Sequence, residues 1–267
     1  MSDIENQQPQ DHTIVIDSPS ADNRQTHDIT KVSAEGEYIQ FGNEKYLRTE
    51  LVEAFGGSMN PGLSPPPKHN FGNPAPLGLS AFALTFFVLS LINVEARGVT
   101  IPNIVVGLAF FYGGLAQAVA GMFEIAVGNT FGGAALGSYG AFWCSWAAVR
   151  VDSFGIQAAY KGKEQEFQFA MGIFFIGWFI FTFFLMLMTV KSTVGFFSFF
   201  FLLSITFLLM AIFEISQQTS VKKASGVFGL LTAFAAWYNA YAGLANEQNS
   251  YITVKALQIP DFQNKSA

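Results

Sequence analysis

Six long stretches without a charged side chain run through the chain, at 69–94, 98–123, 125–149, 167–190, 192–213 and 224–246. Each exceeds the roughly 20 residues that a helix needs to cross the hydrocarbon core of a bilayer. Strands of an outer-membrane barrel would alternate in polarity over about 10 residues. Phe174-Phe175-Ile176-Gly177-Trp178-Phe179-Ile180-Phe181 does not alternate. A helix satisfies its own backbone in lipid, so a helical bundle remains. The pattern predicts an all-α, polytopic membrane protein with six transmembrane helices joined by short links. A soluble bundle would need far more polar covering surface than this chain has.

The polar positions divide the rest. Residues 1–70 are predicted to be a disordered acidic cytoplasmic tail, too poor in apolar side chains to fold alone. Within it, 46–55 (Tyr46-Leu47-Arg48-Thr49-Glu50-Leu51-Val52-Glu53-Ala54-Phe55) can form a short amphipathic helix. Residues 71–246 form the predicted six-helix domain, and 247–267 a C-terminal cytoplasmic tail. No apolar stretch near Met1 suggests a signal peptide. Both termini are therefore expected in the cytoplasm, although counting Lys and Arg in the links points weakly the other way. Phe123-Glu124-Ile125 and Phe213-Glu214-Ile215, ending the second and fifth spans, hint at an inverted repeat of three-helix halves.

Composition sharpens the picture in two places. The chain is 51% hydrophobic with 30 Phe, beyond what a soluble domain carries. Asp and Glu outnumber Lys and Arg 11 to 5 in residues 1–72, against 8 to 9 in 73–267. The acidic balance thus describes the tail, and nothing in the chain predicts nucleic-acid binding.

Catalytic chemistry has no foothold. Cys144 is the single cysteine, and His12, His27 and His69 all precede the first span. No nucleophile motif, phosphate loop, dinucleotide fingerprint or metal-ligand spacing occurs, so neither an enzyme nor a cofactor is expected. What remains is a set of polar groups inside or beside apolar spans, where they are expensive and often functional. Glu124 is a candidate for protonation or gating, and Gln117 for lining a pore. Asn93, Asn103, Asn129 and Asn239 are possible donors to a carboxylate, and Glu95 is expected to pair with Arg97. Small residues such as Gly113, Gly121, Gly133 and Gly137 point to close helix packing. Trp143, Trp146, Trp178 and Trp237 are expected as lipid or interface anchors.

The first span opens on Asn73-Pro74-Ala75-Pro76-Leu77-Gly78-Leu79. Asn73 can cap a helix and Pro74 suits its first position. Unpaired N–H groups at such a start would attract an anion. No Lys or Arg lies mid-span, so an anionic substrate would use these N–H groups and neutral donors, or travel with a proton.

These seven residues, entering a six-span protein, resemble the signature of the acetate uptake transporter family, which includes fungal ammonia/acetate transporters and a bacterial succinate–acetate permease. Phe111-Tyr112-Gly113-Gly114-Leu115-Ala116-Gln117, Ala120-Gly121-Met122-Phe123-Glu124, Gly128-Asn129-Thr130-Phe131-Gly132 and Ser138-Tyr139-Gly140-Ala141-Phe142-Trp143 are similar to further family segments. The resemblance implies passage of acetate and related short monocarboxylates, with proton coupling, through one pore in each protomer of a plasma-membrane homohexamer. It also implies a constriction of Phe82, Tyr139 and Leu203, with the signature residues near substrate. The partners expected are then small carboxylates, protons, the bilayer and further copies of the chain. Alternatives are a gated acetate channel, an ammonia or ammonium exporter, and a membrane sensor of acid stress.

Overall fold

The computed structural model describes residues 32–35, 38–41, 44–47, 71–254 and 257–260. In the N-terminal segment, β1 (Val32–Glu35), β2 (Tyr38–Phe41) and β3 (Glu44–Leu47) form an antiparallel meander, with Val32 opposite Phe41 and Tyr38 opposite Leu47. The sequence reading expected no strands here. Its missed signal is short: the sequence has Gly36-Glu37 and Gly42-Asn43 between the three runs, and a glycine-first pair is a hairpin signal. The predicted amphipathic helix at 46–55 loses its first two residues to β3. Its remainder lies outside the described residues.

Six long helices follow: α1 (Ala75–Asn93), α2 (Ile104–Ala126), α3 (Thr130–Val149), α4 (Glu164–Met188), α5 (Val194–Ser216) and α6 (Thr219–Leu244). Five are long and apolar enough to cross a membrane. The exception is α3, whose 20 residues include Gly132, Gly133, Gly137 and Gly140 with Ser138 and Ser145. Its small residues allow close packing, while its large rings, such as Tyr139, Phe142 and Trp143, face the core. Bare apolar surface sits on the outer faces of the others, as at Ile104, Phe111 and Ile173, each about 70% exposed. Such a belt suits lipid contact.

α1 packs chiefly on α6, α2 on α3, and α5 on both α4 and α6. At the α2–α3 crossing, a Cβ on Gly121 would lie 2.4 Å from the Gly137 nitrogen. Backbone therefore rests on backbone, as small residues allow in membranes. Hydroxyls inside the bundle turn back on their own helices: Thr85 donates to the Ala81 carbonyl, Ser204 to Phe200 and Thr232 to Phe228. No water is needed to satisfy them.

Two expectations are corrected, and one helix departs from regular geometry. Glu95 pairs with Lys223 at 2.8 Å rather than with Arg97, tying the α1–α2 link to the start of α6. The hydrogen bond from Lys223 holds the Glu95 carboxyl below the usual carboxylate range. Trp143 and Trp146 are fully buried and cannot anchor in lipid. The Trp143 ring packs against Phe82 and Phe86, and Trp146 packs edge-on against Trp143. Finally, α2 is not a regular helix throughout. Phe111–Ala116 forms a π-helical stretch, with Gly113 against Thr85 and Gly114 against Cys144.

Candidate functional site: two cavities and an aromatic plug

The opening turn of α1 is built differently from the sequence expectation. Asn73 accepts a hydrogen bond from the Ala75 N–H at 3.1 Å, so the helix begins at Ala75, one residue later than expected. Pro76 has no N–H, and the Gly78 N–H reaches the Pro74 carbonyl. The expected cluster of bare donors is thereby reduced to the N–H of Leu77. The two prolines and the Asn73 side chain remove the others.

The seven signature residues do not all converge on one space. Ala75 and Leu79 line a cavity of about 50 Å³. Pro76 and Gly78 are buried against neighbours, and a Cβ on Gly78 would meet Leu136 at 2.6 Å. Leu77 points outward, while Asn73 lies exposed with its amide 3.5 Å from the Gly243 carbonyl. Pro74 is half-buried at the helix entry.

The rest of that first cavity comes from α2, α3 and α5. Its walls are apolar, with Phe82, Phe131, Leu136, Tyr139, Phe199 and Phe200 among them. Gln117 is the polar exception from inside the bundle. It has no exposed surface, and neither its amide oxygen nor its nitrogen has a partner. Leaving a buried donor or acceptor unpaired costs about 1–3 kcal/mol. The π-helical stretch ends immediately before Gln117 and sets its direction. Such stretches recur at functional sites.

Glu124 stands behind the cavity wall. It is 2% exposed, and one carboxylate oxygen accepts a hydrogen bond from the Asn129 side chain. The other oxygen is unpartnered. Asn129 also caps α3, accepting from the Gly132 N–H at 2.9 Å, and it lines the cavity. One side chain thus joins a helix start, a buried carboxylate and the cavity. Asn129→Ala is expected to cost about 2–3 kcal/mol, from the lost cap and the stranded carboxylate oxygen. Adding Glu124→Gln should return part of that loss in thermal denaturation of the purified protein. Equal melting of Asn129→Ala and the parent would sink the pairing.

A second cavity, of about 360 Å³, lies at the other end of α1, α3 and α5. Leu89, Ile92, Trp146, Arg150, Met210 and Glu214 are among its walls. From Leu79 to Leu89, α1 rises about 15 Å. Between the cavities Phe82, Phe86, Tyr139, Phe142, Trp143, Leu203 and Phe207 all belong to one buried cluster. Phe82 stacks on Phe86 at 4.9 Å and meets Phe199 edge-on at 5.3 Å; its ring is 5.9 Å from Tyr139. The three residues expected at a constriction thus lie in this plug. Leu203 is fully buried there.

Thr182 escaped the sequence reading. It holds the Tyr139 hydroxyl at 2.9 Å, and both residues are buried. A lone hydroxyl inside the aromatic run of α4 was the available signal. When Thr182 donates, the tyrosine proton is left free for a guest in the first cavity. The two glutamates of the short repeat also separate: Glu124 backs the first cavity and Glu214 lines the second. Of the other candidate donors, Asn93 meets Met210 sulfur and Asn239 meets the Gly195 and Ala235 carbonyls.

Two cavities thus lie toward opposite ends of α1, with a buried apolar cluster between them. Comparison with known proteins shows the family. A family model described as the GPR1/FUN34/yaaH family matches residues 55–261. The chain is 56% identical to Ammonia transport outward protein 2 of Saccharomyces cerevisiae, over 84% of this chain and 79% of that protein. It is 48% identical to Acetate permease A of Emericella nidulans, over 86% of this chain and 82% of that protein. Among solved structures, the bacterial acetate channel SatP aligns with a TM-score of 0.60 and 34% identity, covering 67% of this chain and 96% of that one. The chain belongs to the GPR1/FUN34/yaaH family, whose members are membrane transporters and channels rather than enzymes.

Proposed function

We propose that this protein carries acetate and related short monocarboxylates across the plasma membrane, as the names of its relatives suggest. The observation that carries the reading is Gln117: a buried amide with both polar atoms free, facing a small apolar cavity. The amide N–H can donate to a carboxylate, and the Phe and Leu walls take a methyl group. A volume of about 50 Å³ has room for a few water-sized groups and little more.

In this reading all six helices span the membrane and both termini are cytoplasmic. Phe82, Tyr139 and Leu203 form the gate, and the signature segment from Asn73 to Leu79 shapes its mouth. Glu124 takes up the coupled proton, since its unpartnered oxygen is positioned to receive one. Each protomer of a homohexamer holds its own pore. A channel would share this geometry without obligatory protons.

Uptake of labelled acetate by the purified protein in liposomes, under imposed pH gradients, tests the proposal. Expected is saturable uptake that rises with an inward proton gradient. A reversal potential indifferent to pH would make it a channel, and uptake no faster than in protein-free liposomes would overturn it. Gln117→Leu, which keeps the volume and removes both polar atoms, should slow acetate entry roughly tenfold. Ammonia is the second cargo to measure, because a 56% identical relative is named for its outward transport. External alkalinisation from ammonia efflux, as exported NH3 takes up a proton, without acetate uptake, would favour it.

A further inference from the structure

The second cavity contains a cation with no ion pair and no hydrogen bond among the described residues. The Arg150 guanidinium lies 4.3 Å over the ring of Trp146. Its Nε is buried and unpartnered, and no hydrogen bond from the guanidinium to protein occurs among the described residues. The ion pairs within 4 Å among those residues are Lys163–Glu166 and Lys223–Glu95, so Arg150 has none. One turn earlier on α3, the indole N–H of the fully buried Trp146 is also unpartnered. Both side chains line the same cavity.

Removing a charge from water costs several kcal/mol unless something repays it. The ring face of Trp146 repays a part. Burial works against the charged guanidinium, and Glu214 across the cavity partly offsets that. Arginine nevertheless stays protonated, with a planar fork of donors that fits a carboxylate in two parallel hydrogen bonds. Two idle N–H groups therefore await an acceptor in a space large enough to admit one.

We propose that the second cavity is a carboxylate-binding vestibule, in which the Arg150 guanidinium and the Trp146 N–H hold the anion on one side of the aromatic plug. The choice of a small monocarboxylate, rather than another anion, rests on the transport function proposed above. Several features follow. At about 360 Å³ the vestibule does not discriminate by chain length, and selection falls to the smaller first cavity. Glu214 shares the vestibule and competes with the guest for Arg150, which keeps binding weak enough for release. Lys222, which also lines the cavity, raises the local anion concentration.

The test uses the purified full chain and phenylglyoxal, which modifies arginine guanidinium groups. Peptide mass spectrometry follows Arg150, with the exposed Arg97 as internal reference. Sodium acetate is expected to slow modification of Arg150 roughly tenfold relative to Arg97, as a charge-assisted bidentate pair would. Acetamide, of the same shape without the charge, should not. An Arg150 rate unchanged by acetate, or slowed equally by acetamide, overturns the proposal. So does an Arg150 that never reacts, since an anion could not reach it either. Acetate flux is measured on the same preparation: flux without protection removes the vestibule and keeps the transport function, and protection without flux does the reverse. In flux measurements, Arg150→Gln should raise half-saturation for acetate roughly tenfold, with partial recovery in Arg150→Lys. An unchanged half-saturation in a well-folded Arg150→Gln protein overturns the proposal as well.

Discussion

Gly121→Ala is expected to destabilise the protein by about 3 kcal/mol, while Gly137→Ala, at the same helix crossing, should stay within about 0.5 kcal/mol. The difference lies in what the new methyl meets. A Cβ on Gly121 would stand 2.4 Å from the Gly137 nitrogen, 2.9 Å from its Cα and 3.1 Å from the Gly133 oxygen. All three are backbone atoms of α3, which cannot rotate aside as a side chain can. Relief requires α2 and α3 to move apart along their length. A Cβ on Gly137 would meet only the end of Met122, at an ordinary 3.6 Å. In helix propensity alone, both substitutions would be favourable by up to about 1 kcal/mol, so the contrast isolates packing. Function should follow stability here. α2 carries Gln117 and α3 carries Tyr139, both walls of the first cavity, and separating the helices widens it. Thermal denaturation with size-exclusion profiles of both variants is the measurement. Equal melting temperatures would show that the two helices do not meet through Gly121.

The sequence announced these helices because charges interrupt them at nearly every link. It also located the small residues of the crossing, since glycines spaced four apart have few other uses in a membrane helix. It could not say which glycine faces backbone. That depends on the rotation of α2, and the π-helical stretch at Phe111–Ala116 resets the rotation by an amount no periodicity reveals. The same limit governs the site. Gln117 and Glu124 stood out as polar residues in apolar surroundings, and Asn129 was a possible donor to a carboxylate. Their geometry comes from tertiary placement: Asn129 reaches Glu124 because a short link turns α2 into α3. Arg150 escaped notice because it sits at a span end, where a charge is ordinarily solvated. Only the fold shows Trp146 beneath it and no carboxylate within ion-pair distance among the described residues. Trp143 and Trp146 were misjudged for a related reason. Composition assigns tryptophan to interfaces, yet an aromatic plug needs large rings at its centre.

Removal of one ring from that plug should produce the largest change in transport. Phe82 is 1% exposed and touches Phe86, Tyr139, Trp143 and Phe199. It also floors the first cavity. Phe82→Ala leaves a void continuous with that cavity and should cost about 3–5 kcal/mol of stability. The same void admits a longer acyl chain. Each added methylene is worth about 0.8 kcal/mol once buried, or roughly fourfold in affinity, so propionate and butyrate should gain on acetate in the variant. The parent, whose cavity of about 50 Å³ has little room beyond a methyl group, should not show that gain. Leu203→Ala opens space in the same buried cluster without removing a ring, and provides the second variant if Phe82→Ala folds poorly. The measurement is uptake of labelled acetate with propionate, butyrate, lactate and succinate as competitors. A shift toward longer acids in either variant places the size filter in the plug. An unchanged order of competition in both, at normal protein levels, would move the filter elsewhere. The void left by Phe82 also borders Trp143 and Phe86, which stand toward the second cavity, so the variant should leak. Uptake without a pH gradient should therefore rise above the parent's, because dewetting by an intact apolar ring is what closes such a pore at rest.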